Sequence, residues 1–311
     1  MPCLAWQTTL IQGNFRYATR AKSSIRLHSA SIDVDSDGRH TDGRAAIYRT
    51  VGLLGSGPSW AYDLAGLVQP DAVLAQIDDS GISRIFHAGI GDDYLEASTS
   101  GTLLTVTGFV LGSITELTNA FDPPAPGQGN SGTYGMNWIL DTARWATRIQ
   151  RSSRTKLDPM ALWTSSFAGL LLEGWGEVVR FYEHSELDQQ LSGFVEAVHE
   201  LQDKGGDHGR LEDLGQSCNH LIPELLPIIR LIGAAARGRR LAYTSDNLLA
   251  LVFREAQIGD VLSIFQGTPL PFVLRKVCGG HCLVGTCYIH NMMDGEVLED
   301  PKWTARKIAV C

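Results

Sequence analysis

RRLAYTSDNLLALVFREAQIGDVLSIFQGTPLPFVLRKVCGGHCLVGTCYIH, residues 239–290, is the stretch whose pattern decides the fold class. Apolar and β-branched residues fall in short runs at 241–244, 248–253, 261–266, 272–276 and 281–290, separated by Gly, Pro and Asp. Runs of that length at such close spacing predict a small antiparallel sheet or barrel. Upstream, 102–114 also reads as β, with Leu104 and Val106 alternating against Leu103, Thr105 and Thr107. Between these β regions the apolar period is helical, over 138–150, 158–173, 178–204 and 221–237. Asp158 before Pro159 has the chemistry of an N-cap with proline at the first helical position. Gly205 and Gly206 stop the third helix, and Pro223 and Pro227 start or kink the fourth.

The expected fold is therefore α+β, with a helical N-terminal and middle region packed on a small C-terminal antiparallel sheet or barrel. The expected divisions are a flexible basic and polar segment at 1–44, a mainly helical region at 45–237 with a β-hairpin near 102–114, a β-rich unit at 238–298, and a tail at 299–311. Residues 121–135 hold three prolines and four glycines, so a long loop suited to a lid or binding role is expected there. Residues 1–32 carry Arg16, Arg20, Lys22 and Arg26 but no acid. That composition fits an organelle transit peptide or, more simply, a loose basic N-terminus.

The chain has 311 residues, 44% hydrophobic and 19% charged, which suits one large domain or two modest ones. A formal net charge of −8 argues against nucleic acid as a partner, because phosphate-backbone binding needs clustered Lys and Arg. No membrane span is expected, since the most apolar stretch, 221–236, is broken by Pro223, Glu224, Pro227 and Arg230. The six cysteines lack framework spacing, so reduced thiols and a cytoplasmic setting are expected.

Within the β-rich end, Gly238-Arg239-Arg240, Gly259-Asp260-Val261, Pro271-Phe272-Val273-Leu274-Arg275, Leu283-Val284-Gly285, Tyr288-Ile289-His290 and Met293-Asp294-Gly295-Glu296 follow one another in order. This series resembles the C-terminal region of fungal heterokaryon-incompatibility proteins. The tyrosine-rich Ser-Tyr-x-Trp-Gly strand and the Trp-Ile-Asp and Cys-Ile-Asn-Gln segments of that family's N-terminal domain have no counterpart here, so the resemblance implies a C-terminal half without its usual companion. Gly259, Gly285 and 272–274 read as scaffold. Arg275, Tyr288, His290, Asp294 and Glu296 are the polar members that packing alone gives little reason to specify.

His290, Asp294 and Glu296 lie close enough in sequence for a carboxylate to orient an imidazole in acid–base work, with Tyr288 as a further donor. The competing reading is an Asp294-Gly295 turn with His290 bonded to backbone. Trp138 and Trp145 share a helical face, as a ligand wall or as core, and Arg275 is a candidate substrate-binding cation. No metal is expected: Cys278, His281, Cys282, Cys287 and His290 lack zinc-knuckle spacing, and at strand period Cys282 and Cys287 face opposite sides. The calcium-like series Asp33, Asp35, Asp37 and Gly38 places Arg44 where a bidentate Glu is needed. Gly52, Gly55 and Gly57 match no nucleotide fingerprint, and Ser56, Ser165 and Ser166 sit on no nucleophile elbow, so no cofactor is expected.

Two functions follow. The first is a cofactor-independent isomerase or cyclase, of the intramolecular cycloaddition type, that folds an apolar small molecule of fungal secondary metabolism against a few donors. His290, Glu296, Asp294 and Tyr288 would be its catalytic groups, and Arg275, Trp138 and Trp145 its substrate-binding groups. The alternative is a non-enzymatic interaction or regulatory module of heterokaryon incompatibility that binds a partner protein.

Overall fold

The computed structural model describes residues 86–90, 97–100, 103–122, 131–152, 157–172, 178–180, 185–205 and 222–311. The expectations for 1–44, for most of the 45–97 part of the mainly helical region, for Gly52, Gly55 and Gly57, and for the centre of the 121–135 loop lie outside the described residues. In chain order the elements are β1 Ala97–Ser100, β2 Leu103–Leu117, α1 Ser131–Ser152, α2 Pro159–Ser166, β3 Leu170–Leu172, β4 Val178–Arg180, α3 Ser185–Gly205 and α4 Ile222–Ala235. There follow β5 Arg239–Thr244, β6 Leu249–Phe253, β7 Val261–Phe265, β8 Phe272–Val277, β9 Gly280–Thr286, β10 Tyr288–Ile289, α5 Glu296–Glu299 and β11 Arg306–Val310.

Strand β2 organises the sheet. Its first half pairs with β1 (Ala97 opposite Val106) and with β11 (Ile308 opposite Val106). Its middle pairs with β7 (Phe109 opposite Ile264) and its end with β5 (Leu117 opposite Ala242). One strand serves four neighbours because it is bent. The register shifts between Val110 and Ser113 and again between Ile114 and Glu116, and Gly112 sits at φ +112°, where a side chain would be strained. At Gly108 a Cβ would lie 2.6 Å from the Ile264 carbonyl, so glycine is what lets β7 approach. Hydrogen bonding runs β2–β11–β9–β8–β7 and returns to β2, closing five strands into a ring. From the far end of β2 the ladder continues through β5 and β6 to β10, which directly follows β9 in the chain.

Side-chain alternation sorts the apolar residues into layers. Leu241, Tyr243, Leu249, Leu251 and Tyr288 face a core shared with the helices, including Trp145, Trp163, Phe194, Ile228 and Ile232. The intervening Ala242, Ala250, Val252 and Ile289 face a second core with Leu262, Ile264 and Val273. A third cluster joins Leu104, Val106, Phe265, Phe272, Leu274, Ile308 and Val310. Each buried Leu, Ile, Val or Phe contributes about 1.5–3 kcal/mol relative to exposure, so the helical layer is held to the sheet by side chains chosen at period two.

The α+β class stands, with helices gathered ahead of the β-rich end and packed on it. Several details differ from the sequence reading. The sheet has nine strands and is mixed, because β11 runs parallel to β9 with Val310 beside His281. Residues 306–310, read as tail, insert between β2 and β9; their alternating burial, with Ile308 and Val310 inside, is too short a signal to stand out in the sequence. In place of a hairpin within 102–114, residues 103–117 form the single strand β2, whose antiparallel partner β1 lies ahead of that stretch. The helix expected over 158–173 ends at Ser166. Ala168 (φ 57°) and Gly169 (φ 62°) turn the chain left-handed, and β3 then pairs with Val178–Arg180, which the sequence reading had placed in the next helix. Asp158 does cap α2, accepting from the Met160 and Ala161 N–H groups, with Pro159 opening the helix.

Candidate functional site

Residues 287–296 form a corner between the barrel and the helical layer. The Cys287 N–H bonds to Pro271 O, the His290 N–H to Leu249 O at 2.9 Å, and the Ile289 N–H to Met293 Sδ at 3.3 Å. Asn291 then takes φ 57° and turns the chain away, and the His87 N–H bonds to Met293 O. Tyr288 is 5% exposed and points into the helical core, its ring 6.0 Å from that of Phe86. A Cβ on Gly169 would stand 3.1 Å from the Tyr288 hydroxyl, so the turn after α2 lies on that phenol. His290, just past the end of β10, is half-buried, and its Nδ1 is enclosed without a hydrogen-bond partner among the described residues. Burial pushes its pKa below the usual imidazole range, against an upward pull from Asp158.

Asp294 and Glu296 do not complete a dyad with this imidazole in any hydrogen bond of the described residues. Glu296 Oε2 accepts the Asp294 N–H at 2.7 Å, and Gly295 takes φ 91° between them. That is the local turn: the carboxylate closes the chain ahead of α5. Asp294 itself is exposed.

Arg275 is likewise committed. Its Nε and Nη2 bond to the two carboxylate oxygens of Asp260 at 2.9 Å each, and Nη2 also reaches Glu255 O at 2.7 Å. Asp260 is 3% exposed and accepts the Gln257 N–H as well, so the pair ties the loop before β7 to β8. The bonds to Asp260 raise the Arg275 pKa. Trp138 donates Nε1–H to Asn119 O at 2.9 Å and meets Phe121 edge to face at 5.3 Å. Trp145 is 1% exposed in the helical core. Both indoles occupy the buried side of α1, where they pack β5, β6 and the other helices together. Ser165 and Ser166 are buried and donate to the carbonyls of Ala161 and Trp163.

Three features were not legible from the sequence. Asp260 emerges as the counter-charge of Arg275, although its Gly-Asp pair reads only as a turn. Arg239 is 2% exposed, its guanidinium 4.1 Å above the Phe253 ring and within 3.5 Å of Thr286 O. Cys287 is fully enclosed, and burial drives its thiol pKa up, leaving it an unreactive packing group. A cleft of about 50 Å³ lies between α1, α2 and α3, lined by Gln150, Leu157, Leu162, Trp163, Val198 and His199. One water occupies roughly 30 Å³ of liquid and drug-sized ligands need about 300 Å³ or more, so this cleft fits a single small group. Among the described residues no three His, Cys, Asp or Glu side chains converge as a metal site, and no helix is long and apolar enough to cross a membrane.

Residues 180–304 match the family model of the Het-6 beta-barrel domain. The matched span contains β5 to β10, while β2 and β11, which complete the five-strand ring, lie outside it. No curated protein and no solved structure matches the chain.

Proposed function

Given a C-terminal region that carries a Het-6 beta-barrel domain and is related to heterokaryon-incompatibility proteins, we propose that the chain is a non-enzymatic interaction or regulatory module of that system, acting through a partner protein. The observation that carries this reading is the engagement of the polar candidates. Arg275 clamps Asp260, Glu296 closes a turn, and Trp138 bonds to Asn119 O. These groups hold elements together, which is the work of a scaffold that presents a surface.

An isomerase or cyclase of apolar metabolites would enclose its substrate in a cavity of several hundred Å³ lined by a few convergent donors. The α1–α2–α3 cleft, at about 50 Å³, is smaller than that, and Asp294 and Glu296 do not line it. The module reading also accounts for the match to a named barrel domain with no appeal to a reaction.

The test is expression of the full chain in a filamentous fungus, scoring growth and compartment death on contact with a partner strain. A response is expected that Arg275→Met abolishes by loosening the barrel and that His290→Ala and Glu296→Gln leave intact. No response from the wild-type chain counts against the module. Loss of the response in His290→Ala or Glu296→Gln, with circular dichroism unchanged, returns those residues to an active site.

A further inference from the structure

We propose that Cys282 and Cys311 are a peroxide-responsive thiol pair, whose disulfide locks the seam between β9 and β11 in the strand ring. The inference is independent of the function proposed above.

That seam is the thinnest closure of the ring. β11 pairs with β2 over five residues, Arg306 to Val310, but meets β9 at the single pair Val310–His281. The bond from the Cys311 N–H to His281 O, at 2.8 Å, carries the contact one residue past β11. At Gly280 a Cβ would stand 2.9 Å from Ala309 O, so glycine lets the two strands close up just ahead of the thiols.

Register brings the two cysteines side by side. β9 and β11 run parallel, so one step forward on each strand from the Val310–His281 pair sets Cys311 next to Cys282. Val310 and Leu283 pack in one apolar cluster, and side chains alternate along a strand, which puts Cys282 and Cys311 together on the opposite face. Cys311 Sγ lies 3.5 Å from His281 O, the carbonyl of the peptide bond that joins His281 to Cys282. Adjacent strands stand about 4.8 Å apart, inside the roughly 4.4–6.8 Å Cα separation that a disulfide spans.

The other described cysteines are set apart. Cys278 lies in the turn between β8 and β9, behind Gly280, whereas the parallel run of β11 carries Cys311 forward, away from that turn. Cys287 is fully enclosed. Cys282 and Cys311 are half-buried thiols, which a small oxidant can reach. With hydrogen peroxide, one thiolate attacks an oxygen, the O–O bond breaks and hydroxide leaves, giving a sulfenic acid. The second thiol then attacks that sulfur; the S–S bond forms and the S–O bond breaks, releasing a second hydroxide. The protons lost by the two thiols turn both hydroxides into water, so two thiols and one peroxide give one disulfide and two waters.

The test treats the reduced full chain with hydrogen peroxide and maps its cysteines by non-reducing tandem mass spectrometry. A Cys282–Cys311 cross-link within one chain is expected, reversed by dithiothreitol, kept in Cys278→Ser and lost in Cys282→Ser and Cys311→Ser, with Cys287 still a thiol. Oxidation should raise the Tm of the wild type by at least about 3 °C and leave that of Cys311→Ser unchanged. Should Cys282→Ser fold poorly, Cys282→Ala replaces it. Sulfinic acids without a cross-link, a bond from Cys311 to Cys278, a disulfide between two chains, or a cross-link that leaves the melt unmoved each overturns the proposal.

Discussion

Replacing Arg275 by Met removes two 2.9 Å bonds from Asp260 and one 2.7 Å bond to Glu255 O, and leaves an aliphatic chain of similar length. Asp260, 3% exposed, then keeps the hydrogen bond from the Gln257 N–H and the electrostatic attraction of Arg240. Breaking one side of a buried ion pair costs about 3–5 kcal/mol when the remaining charge has no compensation, and Arg240 offsets part of that cost here. Arg275 is 35% exposed, so water reaches the vacated side and the cost falls to about 2–3 kcal/mol. The further substitution Asp260→Asn in the same chain removes the stranded charge and should restore about 1 kcal/mol or more of that loss. Urea unfolding followed by tryptophan fluorescence gives the midpoints. If Arg275→Met unfolds within about 0.5 kcal/mol of the wild type, or if the double variant is weaker than Arg275→Met, the Arg275–Asp260 pair is not a barrel clamp.

Other substitutions probe the turns and the close approaches. Ala168→Gly should stabilise the chain by about 0.5–1 kcal/mol, since alanine is held at φ 57° where glycine carries no Cβ penalty; an unchanged midpoint would remove the strain argument. Gly285→Ala would set a Cβ 2.3 Å from Phe253 Cδ2, beneath the ring that bears Arg239, and a loss of about 1–3 kcal/mol is expected in thermal melts. Trp138→Phe keeps the edge contact with Phe121 but drops the bond to Asn119 O, for about 1 kcal/mol in the same assay.

The candidate site was legible as a set of residues and illegible as an arrangement. Sequence spacing brings His290, Asp294 and Glu296 within reach of one another, yet Gly295 at φ 91° directs the Glu296 carboxylate to the Asp294 N–H. Residues 281–290 read as one strand-type run, but the chain breaks it at Cys287 into β9 and the two-residue β10, which pairs with β6, and nothing local reveals that the turn after α2 lies beside Tyr288. The shared face of Trp138 and Trp145 follows from helical period alone, and their burial follows from which side of α1 meets the other elements.

Local chemistry determined what local chemistry can. The alternation from 239 to 290 specified strands, the Asp158-Pro159 pair specified where α2 begins, and the apolar period specified that helices precede the β-rich end. The closing of the ring was decided only in three dimensions. β2 and β11 are separated by most of the described chain, and their pairing depends on a bent strand, a glycine that admits β7, and side chains that interlock across long sequence distances. So was the fate of each polar candidate, because a side chain's partner is set by which backbone arrives beside it, and period and spacing carry no record of that arrival.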